Sequence, residues 1–235
     1  MAQIDLAHAK MYLLDGYSLT GCTVDTAGAT AGDTAIPITG LSSTIPDGVR
    51  VAFPNDDTVY RVVSSTGGAT PTQITISPAL AADVSSGDTV TIGPNELLLV
   101  IGEGNLTWNE KQNMEYVRNY RKISFVRQGD EDPTDVSFDL IWEYLSSQSS
   151  NPPTPYEALK QLNNASSWVT SGSDACEPYS VDVEVEYIPP CSATGATEYI
   201  KFKEFRQESI QGDVKQGTLS VSGKCKVTAP VLTRV

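Results

Sequence analysis

Thr134-Asp135-Val136-Ser137-Phe138-Asp139-Leu140-Ile141-Trp142-Glu143-Tyr144 alternates between polar and apolar residues with one fault. Val136, Phe138, Leu140, Trp142 and Tyr144 fall on one face, Asp135, Ser137, Asp139 and Glu143 on the other, and Ile141 is the exception. A period of two over this length predicts a strand with one buried and one polar face. Antiparallel sheets are the usual setting for such a pattern.

The same alternation recurs downstream. Val181, Val183, Val185 and Tyr187 alternate with Asp182, Glu184 and Glu186. Leu219, Val221, Cys225 and Val227 alternate with Ser220, Ser222, Lys224 and Lys226. One helix is predicted over Pro155–Leu162. Thr154 serves as N-cap, Pro155 occupies the first helical position and Glu157 stands three residues after the cap. Leu159 and Leu162 would share its buried face, with Asn163-Asn164 as the stop. The chain is therefore expected to be all-β with one short α-helix.

Between residues 15 and 95 the composition shifts toward Thr, Gly, Ala and Ser. Strand-sized pieces (Ala35–Ile38, Val49–Phe53, Thr58–Val63, Gln73–Ile76, Asp88–Ile92) are separated by turn signals such as Pro46-Asp47-Gly48 and Ser86-Gly87-Asp88. This stretch holds eight Asp against two Arg, Arg50 and Arg61, and only three aromatic residues, Tyr17, Phe53 and Tyr60. It is expected to be a small inserted β-domain at 15–95, spliced into a discontinuous domain of residues 1–14 and 96–235, because insertions at exposed turns are thermodynamically tolerated.

Sixteen Lys and Arg against 29 Asp and Glu give the 235-residue chain a net charge of −13. Such a surface repels phosphate and disfavours tight nucleic-acid binding. The longest apolar run, Leu97–Ile101, is far short of the roughly 18 residues a membrane helix needs. Asp5 stands where a signal peptide carries positive charge, so synthesis in a cytoplasm is expected.

Catalytic constellations are not apparent. There is no GxSxG, the one histidine is His8, and Gly102-Glu103-Gly104 lacks the lysine and glycine spacing of a phosphate loop. Cys22, Cys176, Cys191 and Cys225 form no CxxC pair; buried thiols, or a Cys176–Cys191 bridge, fit better than a metal site. Asp130-Glu131-Asp132 reads as a solvated turn before Pro133 rather than a calcium loop, whose oxygen ligands alternate around a glycine bend. No enzyme activity and no cofactor are expected. Lys201, Lys203 and Arg206 are expected to pair with acidic neighbours on an outward strand face. Arg118, Arg121, Lys122 and Arg127 could meet Asp130, Glu131 and Asp132 of an adjoining subunit, since complementary charge fixes register at interfaces.

An ordered series of segments resembles the tail tube proteins of bacteriophages. It begins with Ile101-Gly102-Glu103-Gly104-Asn105-Leu106-Thr107-Trp108 and Asn113-Met114-Glu115-Tyr116-Val117. It continues through Gly129–Phe138, Trp142-Glu143-Tyr144, Cys176-Glu177-Pro178-Tyr179 and Tyr187-Ile188-Pro189-Pro190-Cys191. It closes with Phe205-Arg206-Gln207-Glu208-Ser209 and Ser220-Val221-Ser222-Gly223-Lys224-Cys225. The resemblance covers residues 1–14 and about 96–228. The stretch at 15–95 is a departure; its Gly32–Ile38 and Ile74–Leu80 pieces are similar to β-decorations grafted onto phage structural proteins.

The resemblance implies a tail-tube-type β-sandwich or barrel whose subunits form stacked hexameric rings. The tube would conduct DNA and a tape-measure protein, with terminator, baseplate or tail-tip proteins at its ends, with or without a sheath around it, and the inserted domain on its outer surface. The chain would then reside in the virion tail, without membrane contact. An acidic bore suits transient passage of duplex DNA, because each basic contact would release counterions and hold it. Asp135, Asp139, Glu143, Asp182, Glu184 and Glu186 are the candidates for that bore. The rival expectations are another virion β-protein, such as a capsid decoration or baseplate component, and a carbohydrate-binding β-protein using Trp108, Trp142 and Trp168.

Overall fold

A computed structural model describes residues 9–54, 56, 58–99, 105–141, 153–174, 176–188, 197–213 and 217–234. The chain is mostly β, and it divides into two compact units: Met1–Leu13 with Leu97–Ser167 and Ser171–Val235, and Leu14–Glu96 with Trp168–Thr170.

In the first unit, β1 (Ala9–Leu14), β8 (Glu96–Leu99), β9 (Asn105–Asn109), β12 (Thr134–Ile141), β13 (Val181–Tyr187), β14 (Glu198–Asp213), β15 (Thr218–Cys225) and β16 (Val231–Arg234) form an eight-stranded sheet. Its order is β8-β1-β13-β14-β15-β12-β9, with β16 added beside the first part of β14. The sheet curls into a half-barrel. Strand β12 follows its alternation closely: Thr134, Val136, Phe138 and Leu140 are buried, while Asp135, Ser137, Asp139 and Ile141 face outward to varying degrees. Ile141, the fault in the pattern, is thereby left 39% exposed. Phe138 on β12 and Phe205 on β14 meet in the core with ring centroids 5.6 Å apart.

The sixteen-residue β14 changes partners along its length, pairing with β13 up to Phe205 and with β15 from Phe205 onward. The change occurs at a bulge in which Glu204 adopts φ 53°. A bulge adds local twist and redirects the strand, which is what a curling sheet requires. Opposite this stretch, β15 passes so close that only glycine fits at 223. A Cβ there would lie 2.1 Å from the Arg206 carbonyl oxygen and 2.8 Å from the Phe205 ring.

Helix α1 (Pro155–Lys160) has the predicted capping box, with both reciprocal hydrogen bonds between Thr154 and Glu157. It is two residues shorter than expected. Gln161 turns into the left-handed region at φ 54° and caps the helix, so Leu162 leaves the helical face and is 45% exposed.

The second unit holds a six-stranded sheet of order β2-β3-β6-β5-β4-β7, built from β2 (Thr23–Val24), β3 (Ala35–Thr39), β4 (Arg50–Ala52), β5 (Tyr60–Thr66), β6 (Gln73–Ser77) and β7 (Thr91–Ile92). Its core gathers Ile36, Ile38, Val51, Tyr60, Ile74 and Ile76. Phe53 meets Tyr60 edge-on at 5.5 Å. Asp15 ties the ends of this unit together. Its Oδ1 accepts the N–H groups of Tyr17 (3.0 Å) and Asn95 (2.8 Å); its Oδ2 accepts Asn95 Nδ2 (2.9 Å) and the N–H of Val169 (3.0 Å). Burial nonetheless holds the Asp15 carboxyl above its ordinary pKa, the four donors opposing that shift. Glu96 is buried between the guanidinium groups of Arg50 and Arg61, on neighbouring strands.

Candidate subunit interface

Among the described residues the remaining two strands, β10 (Gln112–Asn119) and β11 (Lys122–Glu131), pair only with each other. The register sets Met114 opposite Gln128, Tyr116 opposite Val126 and Arg118 opposite Ile123. Side chains of directly opposed residues share a face. Met114, Tyr116, Ile123 and Val126 therefore line one face of the ribbon, and Val117 and Phe125 lie on the other. These apolar side chains are exposed: Tyr116 by 58%, Ile123 by 56%, Phe125 by 54% and Val126 by 49%. An isolated two-stranded hairpin is marginal in water. A contiguous apolar surface on one marks an interaction site.

Charge is segregated along this ribbon. Arg118, Arg121 and Lys122 gather at its tip, where Tyr120 is 96% exposed and both Tyr120 and Arg121 have positive φ. Glu110, Asp130, Glu131 and Asp132 gather at its root. Arg127, midway, pairs with Glu115 across the strands. At the root, Asn113 Nδ2 donates to the Asp130 carbonyl oxygen and to Asp132 Oδ2, both at 3.1 Å. Lys111 pairs with Asp135 at 3.0 Å, and that carboxylate raises the lysine's pKa. A cleft of about 310 Å³ opens there, lined by Glu110, Asn113, Asp130, Glu131, Thr228 and Ala229 among others.

The carboxylates predicted to face a bore have separate surroundings. Asp135 and Asp139 lie on the outward face of β12, half-buried. Across from them the register places Asn109 and Asn105 on β9, and Lys224 and Ser220 on β15. Thr107, Ser137 and Ser222 complete this face, so hydroxyls and amides outnumber its charges. Asp182 and Glu184 are only 8% and 6% exposed within the chain. Asp182 pairs with Lys201 at 3.1 Å and accepts the Glu204 N–H at 2.8 Å. Glu186 accepts the Tyr12 hydroxyl at 2.9 Å and the Tyr199 hydroxyl at 3.4 Å. Glu143 and Trp142 lie outside the described residues. Of the three basic residues expected to pair with acidic neighbours, Lys201 meets Asp182 and Arg206 meets Glu177 and Glu204, while no carboxylate is placed against Lys203 among the described residues; Lys226, outside that expectation, pairs with Glu177 at 2.7 Å.

The thiols divide. Cys22 and Cys225 are buried, and desolvation pushes them up to about 11 and about 12. Cys176 is exposed, contrary to the expectation of a buried thiol, and Cys191 lies outside the described residues. Among the described residues no three His, Cys, Asp or Glu side chains converge as metal ligands, and no helix is long and apolar enough to cross a membrane. Trp168 is buried; Trp108 is 45% exposed, its indole N–H held by Glu110 at 3.0 Å and its ring 5.7 Å from Phe202.

Compared with protein-family profiles, curated proteins and solved structures, the chain matches none.

The charged residues of the ribbon were already candidates for a subunit contact, but patterning did not give its two strands or its exposed apolar faces. Its residues mix aromatic, aliphatic and basic side chains without a clean period, because both faces carry apolar groups. The signal available was the resemblance of Asn113–Val117 and the charge blocks at either end.

Proposed function

We propose that this chain is a structural subunit of a bacteriophage tail tube, assembling into stacked hexameric rings that conduct DNA and a tape-measure protein. The observation that carries this reading is the β10–β11 ribbon, whose apolar side chains are exposed and which pairs with no further strand among the described residues. The half-barrel sheet supports it further. Among the described residues β8 and β9 each pair on one side only, and open strand edges invite pairing with another copy. Ring closure satisfies such edges while leaving a hollow centre. The ordered tail-tube resemblance supplies the ring symmetry and the tube partners: terminator, baseplate or tail-tip proteins, and duplex DNA in transit.

Negative-stain microscopy and sedimentation velocity of the purified protein test the reading. Hollow rings or tubes, growing with concentration, are expected. Tyr116→Ser combined with Val126→Ser should abolish them while leaving the monomer's melting temperature within about 2 °C, since both side chains are already exposed in the monomer. A strictly monomeric wild type at high concentration, alone and with tail initiator proteins, would refute the assignment.

A further inference from the structure

We propose that successive copies join head to tail, the basic tip of one β10–β11 ribbon seating in the acidic root cleft of the next. This rests on the self-assembly reading above and specifies the contact that drives it.

The tip carries Arg118, Arg121 and Lys122, three positive charges with no carboxylate partner among the described residues. The root carries Glu110, Asp130, Glu131 and Asp132, four negative charges, while its one lysine, Lys111, is engaged by Asp135. Complementary charge on one element could in principle be satisfied within the chain, but geometry forbids it here. Lys122 and Asp130 are separated by eight residues of continuous strand, roughly 27 Å at about 3.4 Å per residue. That exceeds the Debye length of about 10 Å at 0.1 M salt, and a paired ribbon cannot fold back on itself. The two patches of one ribbon therefore cannot pair with each other, and a neighbouring copy offers each its complement.

Shape agrees with charge. The tip is a protrusion, with Tyr120 almost fully exposed between Asn119 and Arg121. The root is a concavity of about 310 Å³ whose rim holds the Asp130 and Glu131 carboxylates beside Thr228 and Ala229. A protruding tip in a neighbour's cleft makes a heterologous contact, using two different surfaces of the same molecule. Such contacts propagate, and they close into a ring when the rotation between copies permits. Docking also lays the apolar ribbon face of each copy along its neighbour, covering Tyr116 and Val126.

Charge reversal tests the pairing. The tip variant carries Arg118→Glu, Arg121→Glu and Lys122→Glu; the root variant carries Asp130→Lys, Glu131→Lys and Asp132→Lys. Each alone should raise the concentration needed for assembly at least ~100-fold, because like charges then face each other. An equimolar mixture should assemble, since each variant's tip matches the other's root, and this rescue also shows that both are folded. One chain carrying all six changes should assemble by itself. Assembly of the single variants at wild-type concentrations would overturn the docking while leaving self-assembly intact. So would failure of both the mixture and the six-change chain. A mixture that stops at heterodimers would overturn the head-to-tail arrangement in favour of a two-fold contact. A monomeric wild type would instead remove the underlying self-assembly reading.

Discussion

The carboxylate of Asp182 on β13 accepts the backbone N–H of Glu204 at 2.8 Å, at the bulge where β14 exchanges one partner strand for the next. The same carboxylate pairs with Lys201 on the adjoining strand. One buried acid therefore satisfies an amide that the bulge has removed from the strand ladder and balances a half-buried ammonium.

Asp182→Ala should consequently destabilise the protein by about 2–4 kcal/mol, since it orphans a buried donor and leaves a cation without its partner. Asp182→Asn, which retains an acceptor oxygen, should cost less. Urea denaturation followed by tryptophan fluorescence measures both; equal costs would show that the hydrogen bond to Glu204 contributes little.

Asp15 sets a pH dependence. Its folded-state pKa is raised, so the folded protein binds its proton more readily than the unfolded chain does. The stability associated with that proton is complete below the ordinary value of 3.8 and is lost as pH rises through the folded-state pKa. Asp15→Asn removes this titration. The stability of wild type relative to Asp15→Asn should therefore fall as pH rises through that window, read from paired urea titrations between about pH 3 and 7. A difference independent of pH would show that the four donors fully offset burial.

Gly223 is held by proximity rather than by backbone conformation. Gly223→Ala places a methyl group against the Arg206 carbonyl and the Phe205 ring, between strands that cannot separate without loss of their ladder hydrogen bonds. A loss of about 1–3 kcal/mol or more is expected from overpacking, visible as a lowered melting temperature. An unchanged melting temperature would show that β15 shifts freely.

Asp139 and Asp135 test the bore assignment. If the outward face of β12 lines the conduit, Asp139→Lys should slow DNA ejection from assembled virions while leaving tubes intact, because lysine gives phosphate a place to rest. Asp135→Lys should act likewise, although it also gives up the exposed pair with Lys111. Unchanged ejection kinetics for both would move the bore to another face.

Patterning along the chain was sufficient to establish three strands of the large sheet, β12, β13 and β15, and which side chains alternate within them. Backbone geometry fixes a period of two, so neighbours in sequence report opposite faces regardless of the rest of the fold. Thr134–Ile141 and the Thr154–Glu157 capping box are local in this sense, and both are present as expected. What each face meets is not local. Strands β12 and β13 carry the same alternation of acidic and apolar residues. Asp139 lies half-exposed on β12, whereas Asp182 and Glu184 are buried on β13. Sheet order decides this: β13 lies between β1 and β14, which bring Tyr12 and Lys201 against its polar face, while β12 lies next to the single-paired β9. The return of Trp168–Thr170 to the unit opened by Leu14 is equally a matter of long-range hydrogen bonding to Asp15, invisible in any local window. Tertiary structure alone sets β10 and β11 apart from the large sheet among the described residues, because pairing partners are set by the path of the whole chain and not by the residues of the ribbon.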